Sequence, residues 1–278
     1  MGKISAADRE PRSGTFRNGM DYLAWGSGPK TLLFIQGGPG SAVPRRMLRR
    51  VLRRQFDPFL RAGYAVWIAT RRRGMPAGHT IADMADDYAG LIAEEFGGRV
   101  DVVLAESFGG MIAQYLAARH PDSFRHIAMV VTAAELSEWG KDVDARVAQA
   151  LADGDKVRAG RAFAEYLLPG RGQAWLRRLA GPLISRRLLG GSAFPAQDVL
   201  TEVQAEMTFN SRAVLPLIRR PVLLVCGGTD RFFPRGLAQE TAGLIPDCTL
   251  IWYEGKGHVG AASSTRLARD VLAYAGRG

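Results

Sequence analysis

The sequence predicts an α/β protein: a mostly parallel sheet of about eight strands flanked by helices, with a helical insertion ahead of the last two strands. Three observations carry that prediction. Short apolar runs alternate with apolar patterns of helical period for most of the length. Most of those runs are apolar at consecutive rather than alternate positions, as strands buried on both faces of a parallel sheet are. The rhythm then breaks between about Leu136 and Pro216, where helical patterns continue without a strand.

The elements follow in order. Thr15–Arg17 and Tyr22–Trp25 read as an opening hairpin about Asn18-Gly19, a two-residue turn signal. Thr31–Gln36 is a buried strand running into Gly37-Gly38-Pro39-Gly40. A helix striped with arginine comes next, then a strand over Tyr64–Thr70 and a loop over Arg71–Gly78. Ile81–Phe96 is helical and is stopped by Gly97-Gly98. Val100–Ala105 is a strand, Gly109–Arg119 a helix of small residues, and Ile127–Ala133 a strand. Val222–Cys226 and Thr249–Tyr253 complete the sheet, and Ser263 is placed to cap a closing helix over Thr265–Ala275.

Helical patterns at Val143–Leu151, Ala162–Leu168, Gln173–Leu179 and Val199–Met207 fill the interruption, punctuated by Gly181-Pro182, Gly190-Gly191 and Pro195. The expected organisation is therefore one core built from residues 1–135 and 217–278, with residues 136–216 as a helical insertion over the sheet.

Composition sets limits. With 278 residues, 47% of them apolar, the chain can bury a large core, and no run approaches the roughly 18–20 apolar residues of a membrane span. Two cysteines and four histidines are too few to support a metal-centred reading, and no metal or cofactor is expected. The net charge of +10 points toward nucleic acid, yet only Lys3, Lys30, Lys141, Lys156 and Lys256 of its 37 basic residues are lysine. So arginine-heavy a usage, with abundant alanine and glycine, is what GC-rich coding DNA yields without selection for binding. Nucleic-acid binding is therefore not the expectation.

One basic cluster stands apart. Arg45, Arg46, Arg49, Arg50, Arg53 and Arg54 fall on one side of a helix, opposite Met47, Leu48, Val51 and Leu52. It reads as a solvated face, the sharper alternative being a dock for an acidic partner or an anionic substrate tail. Cys226 and Cys248 fall at opposite ends of neighbouring strands, too far apart for a disulfide. That spacing, with no apolar leader in Met1–Asp8, makes a cytoplasmic setting the expectation.

The chemistry concentrates at Ala105-Glu106-Ser107-Phe108-Gly109-Gly110, where a strand meets a helix. A serine on so sharp a turn needs small neighbours, and its hydroxyl is left exposed above the positive end of the helix. A serine hydroxyl is a poor nucleophile until a base removes its proton. Of the four histidines, His120 and His126 flank a helix-to-strand connection at the far edge, and His79 sits in a loop as a reserve candidate. His258 follows the last strand among Gly255, Gly257 and Gly260, which let it swing over the sheet edge.

The strand Val222–Cys226 delivers Asp230 to the same edge, as the carboxylate that would orient the imidazole. A glycine-rich helix cap is the plainer reading of Ser107, and a turn aspartate that of Asp230. Three strands ending in Ser, Asp and His, in that order, favour the catalytic one. An oxyanion would need two N–H donors: Phe108 offers one, and Gly38, with Gly37 as understudy, the other.

Phe-Ile-Gln-Gly-Gly-Pro-Gly (34–40), Glu-Ser-Phe-Gly-Gly-Met-Ile-Ala-Gln-Tyr-Leu-Ala-Ala-Arg-His-Pro (106–121), Gly-Gly-Thr-Asp (227–230) and Gly-Lys-Gly-His (255–258) together resemble the α/β-hydrolase superfamily over nearly the whole chain. The resemblance implies the α/β-hydrolase fold, a Ser107-His258-Asp230 triad, and a helical cap at 136–216. Two positions depart from the family pattern. Gln36 stands where histidine is usual before the oxyanion glycine, and Thr70-Arg71-Arg72-Arg73-Gly74 replaces Asp-x-Arg-Gly.

The implied activity is hydrolysis of an ester, thioester or lactone of a small, largely apolar substrate through an acyl-enzyme. The same residues also allow acyl transfer, carbon–carbon bond hydrolysis or cofactor-free perhydrolysis. A ligand-binding protein that kept the fold is the alternative from a different class. Phe108, Met207, Phe209, Trp139 and Trp175 are candidates for pocket lining or for packing within the cap.

Overall fold

The computed structural model describes residues 10–168, 170–186 and 196–277. Its eight strands form one sheet in the order β1-β2-β4-β3-β5-β6-β7-β8. These are β1 (Arg12–Thr15), β2 (Asp21–Trp25), β3 (Lys30–Ile35), β4 (Tyr64–Ala69), β5 (Val100–Glu106), β6 (Phe124–Val130), β7 (Val222–Gly227) and β8 (Cys248–Tyr253). Only β1 with β2 and β2 with β4 run antiparallel; the remaining neighbours are parallel.

The opening hairpin is shifted from its expected place. Its first strand ends at Thr15, and the turn holds three residues rather than two. Phe16 N–H donates to the Met20 carbonyl at 2.8 Å, Gly19 N–H donates back to Phe16 at 3.0 Å, and Gly19 takes φ +83°. A left-handed glycine closing a three-residue loop is the alternative that an Asn-Gly pair also serves.

Helices cover both faces of the sheet. α2 (Ile81–Glu95), α3 (Phe108–Arg119) and α8 (Arg235–Leu244) pack against Leu33, Ile35, Val103 and Leu224. On the other face, α1 (Arg46–Arg61) and α10 (Leu267–Ala275) pack against Leu32, Phe34, Val102 and Leu223. Alternate strand residues therefore feed opposite cores, so continuous apolar runs are what this sheet requires. Ser263 does not cap α10. It ends the short helix α9 (His258–Ala262), where its hydroxyl donates to the Val259 carbonyl at 2.7 Å.

Between β6 and β7 lie α4 (Glu138–Ala152), α5 (Lys156–Leu167), α6 (Ala174–Ile184) and α7 (Ala196–Met207), with no strand among the described residues of that stretch. The expected breaks at Gly190-Gly191 and Pro195 lie outside the described residues. No helix among the described residues is long and apolar enough to cross a membrane.

The arginine-striped helix differs from expectation. Its buried residues are Phe56, Phe59 and Leu60 of the later turns, whereas Leu48 and Val51 are exposed. Leu52, from the same apolar stripe, packs half-buried against the core. Arg53 turns inward along the helix to an ion pair with Asp57 at 2.7 Å. Cys226 and Cys248 are both free, and the register places Cys226 opposite Trp252, four residues from Cys248.

Candidate active site

Parallel strands deliver their C-terminal ends to one edge of the sheet, and the candidate residues gather there. β5 passes directly into α3 through Ser107, whose backbone has φ +55° and ψ −118°. A non-glycine residue holds such angles only when its surroundings impose them. The surroundings are visible. Ser107 N–H donates to the Val130 carbonyl at 2.9 Å, and a Cβ on Gly109 would lie 2.3 Å from the Ile35 carbonyl oxygen. The helix thus packs against β3 so closely that only glycine fits two residues after the serine. Val131, at the end of the adjoining strand, is the other non-glycine residue with positive φ among those described, at +47°.

His258 opens α9 just beyond β8, with Nε2 3.0 Å from Ser107 Oγ. Its Nδ1 lies 2.8 Å from Asp230 Oδ2, and the two side chains are almost wholly buried. The other carboxylate oxygen of Asp230 accepts the N–H groups of Phe232 at 2.8 Å and Phe233 at 3.3 Å. With Oδ1 occupied by backbone donors, Oδ2 is left for the imidazole Nδ1–H. That tautomer presents the Nε2 lone pair to the serine hydroxyl. Phe232 and Phe233 flank the ring, with centroids 4.7 and 5.8 Å away.

The other histidines are held elsewhere. His79 bonds Asp87 at 2.8 Å, His120 bonds Asp86 at 2.7 Å, and His126 packs edge-on against Tyr274.

The loop after β3 passes beside the serine. A Cβ on Gly37 would stand 3.2 Å from Ser107 Cβ, and one on Gly38 would stand 2.6 Å from the Gly40 carbonyl oxygen. Gly38 also has φ +154°. Phe108 begins α3 immediately after Ser107, so Phe108 and Gly37 border the serine, and Gly38 follows in the same loop.

The departures from the family pattern join a buried polar network that the sequence reading missed. The Arg71 guanidinium lies over the Phe108 ring, 4.5 Å from its centroid. It donates to the Gln36 carbonyl at 2.9 Å and forms a two-pronged ion pair with Glu202 of α7. Burial opposes the charge of Arg71, and the Glu202 carboxylate more than offsets this, holding its pKa above the ordinary value. Glu202 also accepts the Gly40 N–H at 2.5 Å. Its neighbour one turn earlier, Asp198, accepts the N–H groups of Gly74 and Met75 at 3.2 and 3.0 Å.

One turn later, Glu206 bonds Asp144 of α4, which also receives the Tyr166 hydroxyl of α5. Burial pushes both carboxyl pKa values up, and for Glu206 the charge of Asp144 adds to it. A sequence signal for these residues exists. Asp198, Glu202 and Glu206 recur every fourth residue on a helix, beside the apolar Val199 and Val203 rather than opposite them.

Glu106, just before Ser107, is also perturbed. Burial pushes its carboxyl up to about 7, against a hydrogen bond from Gln55 and the nearby charge of His258. A cavity of about 510 Å³ opens beside His258, lined in part by Trp139, Tyr166, Leu167, Arg231 and Phe232. The expected aromatic lining is therefore only partly present. Trp139 reaches the cavity and Phe108 underlies Arg71, but Trp175 is 61% exposed on α6. Phe209 packs edge-on against Tyr115, and Met207 packs within the insertion against Val199 and Val203.

Comparison with known proteins places the chain. The sequence model described as alpha/beta hydrolase fold matches residues 30–262. The chain is 33% identical over 183 residues to the pimeloyl-[acyl-carrier protein] methyl ester esterase of Chromobacterium violaceum, covering 63% of this chain and 68% of that protein. Among solved structures it is similar to MGS-M2, an alpha/beta hydrolase enzyme from a Medee basin deep-sea metagenome library, with a TM-score of 0.73 at 15% identity, covering 96% and 98% of the two chains. It is also similar to the enol-lactonase from Burkholderia xenovorans, with a TM-score of 0.68 at 18% identity over 91% and 96% of the two chains. The chain belongs to the α/β hydrolase fold family and is an enzyme of the hydrolase class.

Proposed function

We propose that this enzyme hydrolyses an ester, thioester or lactone through an acyl-enzyme on Ser107, with His258 as general base and Asp230 as its orienting partner. The observation that carries this reading is the continuous path from Asp230 to His258 to Ser107, with hydrogen bonds of 2.8 and 3.0 Å, ending on a strained turn. The names of its relatives, a methyl ester esterase and an enol-lactonase, lend support.

In the first half-reaction Ser107 Oγ attacks the substrate carbonyl carbon while its proton passes to His258 Nε2. The new imidazolium is held by the Asp230 carboxylate. The oxyanion of the tetrahedral intermediate rests on the N–H groups of Phe108 and Gly38, with Gly37 as the alternative donor. Collapse expels the alcohol or thiol, which takes the proton from His258. A water molecule then gives its proton to the same nitrogen and attacks the acyl group, and the acid leaves as Ser107 Oγ takes that proton back from His258. Residues 136–216 serve as the cap over this site, which water enters after the leaving group departs.

The test is covalent labelling with a fluorophosphonate. Folded wild-type protein labels at Ser107, and Ser107→Ala does not; a folded wild type that fails to label removes the proposal. Rates on acyl esters of graded length beside a set of lactones then define the substrate range.

A further inference from the structure

The three acids of α7 are fully buried, and two of them have complete sets of partners. Asp198 holds two backbone N–H groups, and Glu202 holds Arg71 and Gly40. Glu206 is different. Among the described residues its side chain bonds only another acid, Asp144, and its Oε2 is buried without a partner.

The charge balance around it can be followed from each neighbouring element. Arg71, from the loop after β4, is the cation facing Glu206, and its guanidinium is already matched by Glu202. α5 contributes Tyr166, a neutral hydroxyl that donates to Asp144. Two carboxyls bonded to each other share a proton, and once Asp144 ionises, at about 7, the pair carries one negative charge with no cation of its own among the described residues. Burying such a charge costs several kcal/mol unless something pairs with it.

The position of the pair is also fixed by what it meets. Tyr166 packs 6.2 Å from the His258 ring and lines the cavity beside it, and Asp144 feels the charge of His258. On its other side Glu206 feels Arg71, which covers the Phe108 ring next to Ser107. Asp144 thus meets the cavity beside His258 through Tyr166, and Glu206 stands one helical turn from Glu202, whose carboxylate holds the glycine loop next to Ser107.

We propose that Asp144 and Glu206 recognise a primary or secondary ammonium group carried by the substrate within a few bonds of the scissile carbonyl. This rests on the hydrolase reading above and narrows its substrate class. An ammonium supplies the missing cation and the donors for Glu206 Oε2, while the two carboxyls keep their shared proton.

The experiment compares kcat/KM for methyl esters of glycine, β-alanine and 4-aminobutanoate with those of acetate, propanoate and butanoate, in wild type, Glu206→Gln and Asp144→Asn. At one chain length or more, wild type prefers the amino ester by about 30-fold or more. Both variants bring that ratio close to one, while circular dichroism shows them folded. A ratio near one in wild type at every length, or a preference that survives in both folded variants, overturns the proposal. So does an equal preference for hydroxy-acyl esters, which would make the pair a neutral hydrogen-bonding site.

Binding is also read without turnover. Butylamine, unlike butanol, slows fluorophosphonate labelling of wild type, and calorimetry shows it binding. If Ser107 never labels, the hydrolase reading fails. In that case calorimetry alone decides whether the amine site exists: amine binding that is lost in Glu206→Gln upholds it, and no binding ends it.

Discussion

Arg71 and Glu202 meet through two hydrogen bonds, Nε to Oε1 at 2.6 Å and Nη2 to Oε2 at 3.0 Å, with both side chains sealed from solvent. The pair joins α7 to the loop after β4. Through the Gln36 carbonyl and the Gly40 N–H it also grips both ends of the glycine loop beside Ser107. A guanidinium in place of the family's usual acidic residue is thus accommodated by an opposite charge arriving from the insertion.

Removing one partner strands the other. Arg71→Met and Glu202→Gln each lower stability by about 3 kcal/mol, because an uncompensated buried charge or donor remains. The double variant Arg71→Met/Glu202→Leu loses clearly less than the sum of the two. Urea unfolding at neutral pH checks the cycle.

Glu106 sets a dependence of stability on acidity. Its folded pKa of about 7 lies above the ordinary 4.5, so between those values the folded protein holds a proton that the unfolded chain has released. The contribution of Glu106 to stability therefore falls as pH rises through that window and is level above it. Glu106→Gln removes this part of the slope, leaving that of the raised Asp144 and Glu206 carboxyls, and is more stable than wild type at about pH 8 by up to about 3 kcal/mol. Denaturant unfolding at about pH 5 and pH 8 gives both numbers.

Asp230→Asn tests the orienting role directly. The Phe232 and Phe233 N–H groups still hold one side-chain oxygen, so the fold survives. The amide now offers its N–H₂ to Nδ1, reversing the imidazole tautomer, and kcat falls by about 10⁴-fold. Steady-state rates on any ester found to be a substrate measure it, and a loss below tenfold contradicts the role.

The strain at Ser107 separates two substitutions that both remove its hydroxyl. Ser107→Ala keeps a Cβ at φ +55°, whereas Ser107→Gly frees that backbone. The glycine variant is the more stable by about 1 kcal/mol. Thermal unfolding of the two inactive proteins side by side shows the difference.

The strands were legible because each core-facing run is apolar on consecutive residues, and the positions of Ser107, Asp230 and His258 followed from strands ending at one edge. What escaped was the polar interior above them. Asp144, Glu202 and Glu206 are acids within amphipathic helices, and an isolated reading assigns such residues to water. Their burial depends on partners more than 60 residues away in sequence, Arg71 for Glu202 and Asp144 for Glu206. Leu48 and Val51 failed in the opposite sense: a helical stripe predicts which residues share a face, not whether a core lies beneath it.

Glu202 contacts Arg71 and Gly40 together, so α7 has no travel that leaves the glycine loop undisturbed. Seating of that helix and shape of the loop are thus a single property: whatever shifts this one carboxylate shifts the backbone beside Ser107 with it.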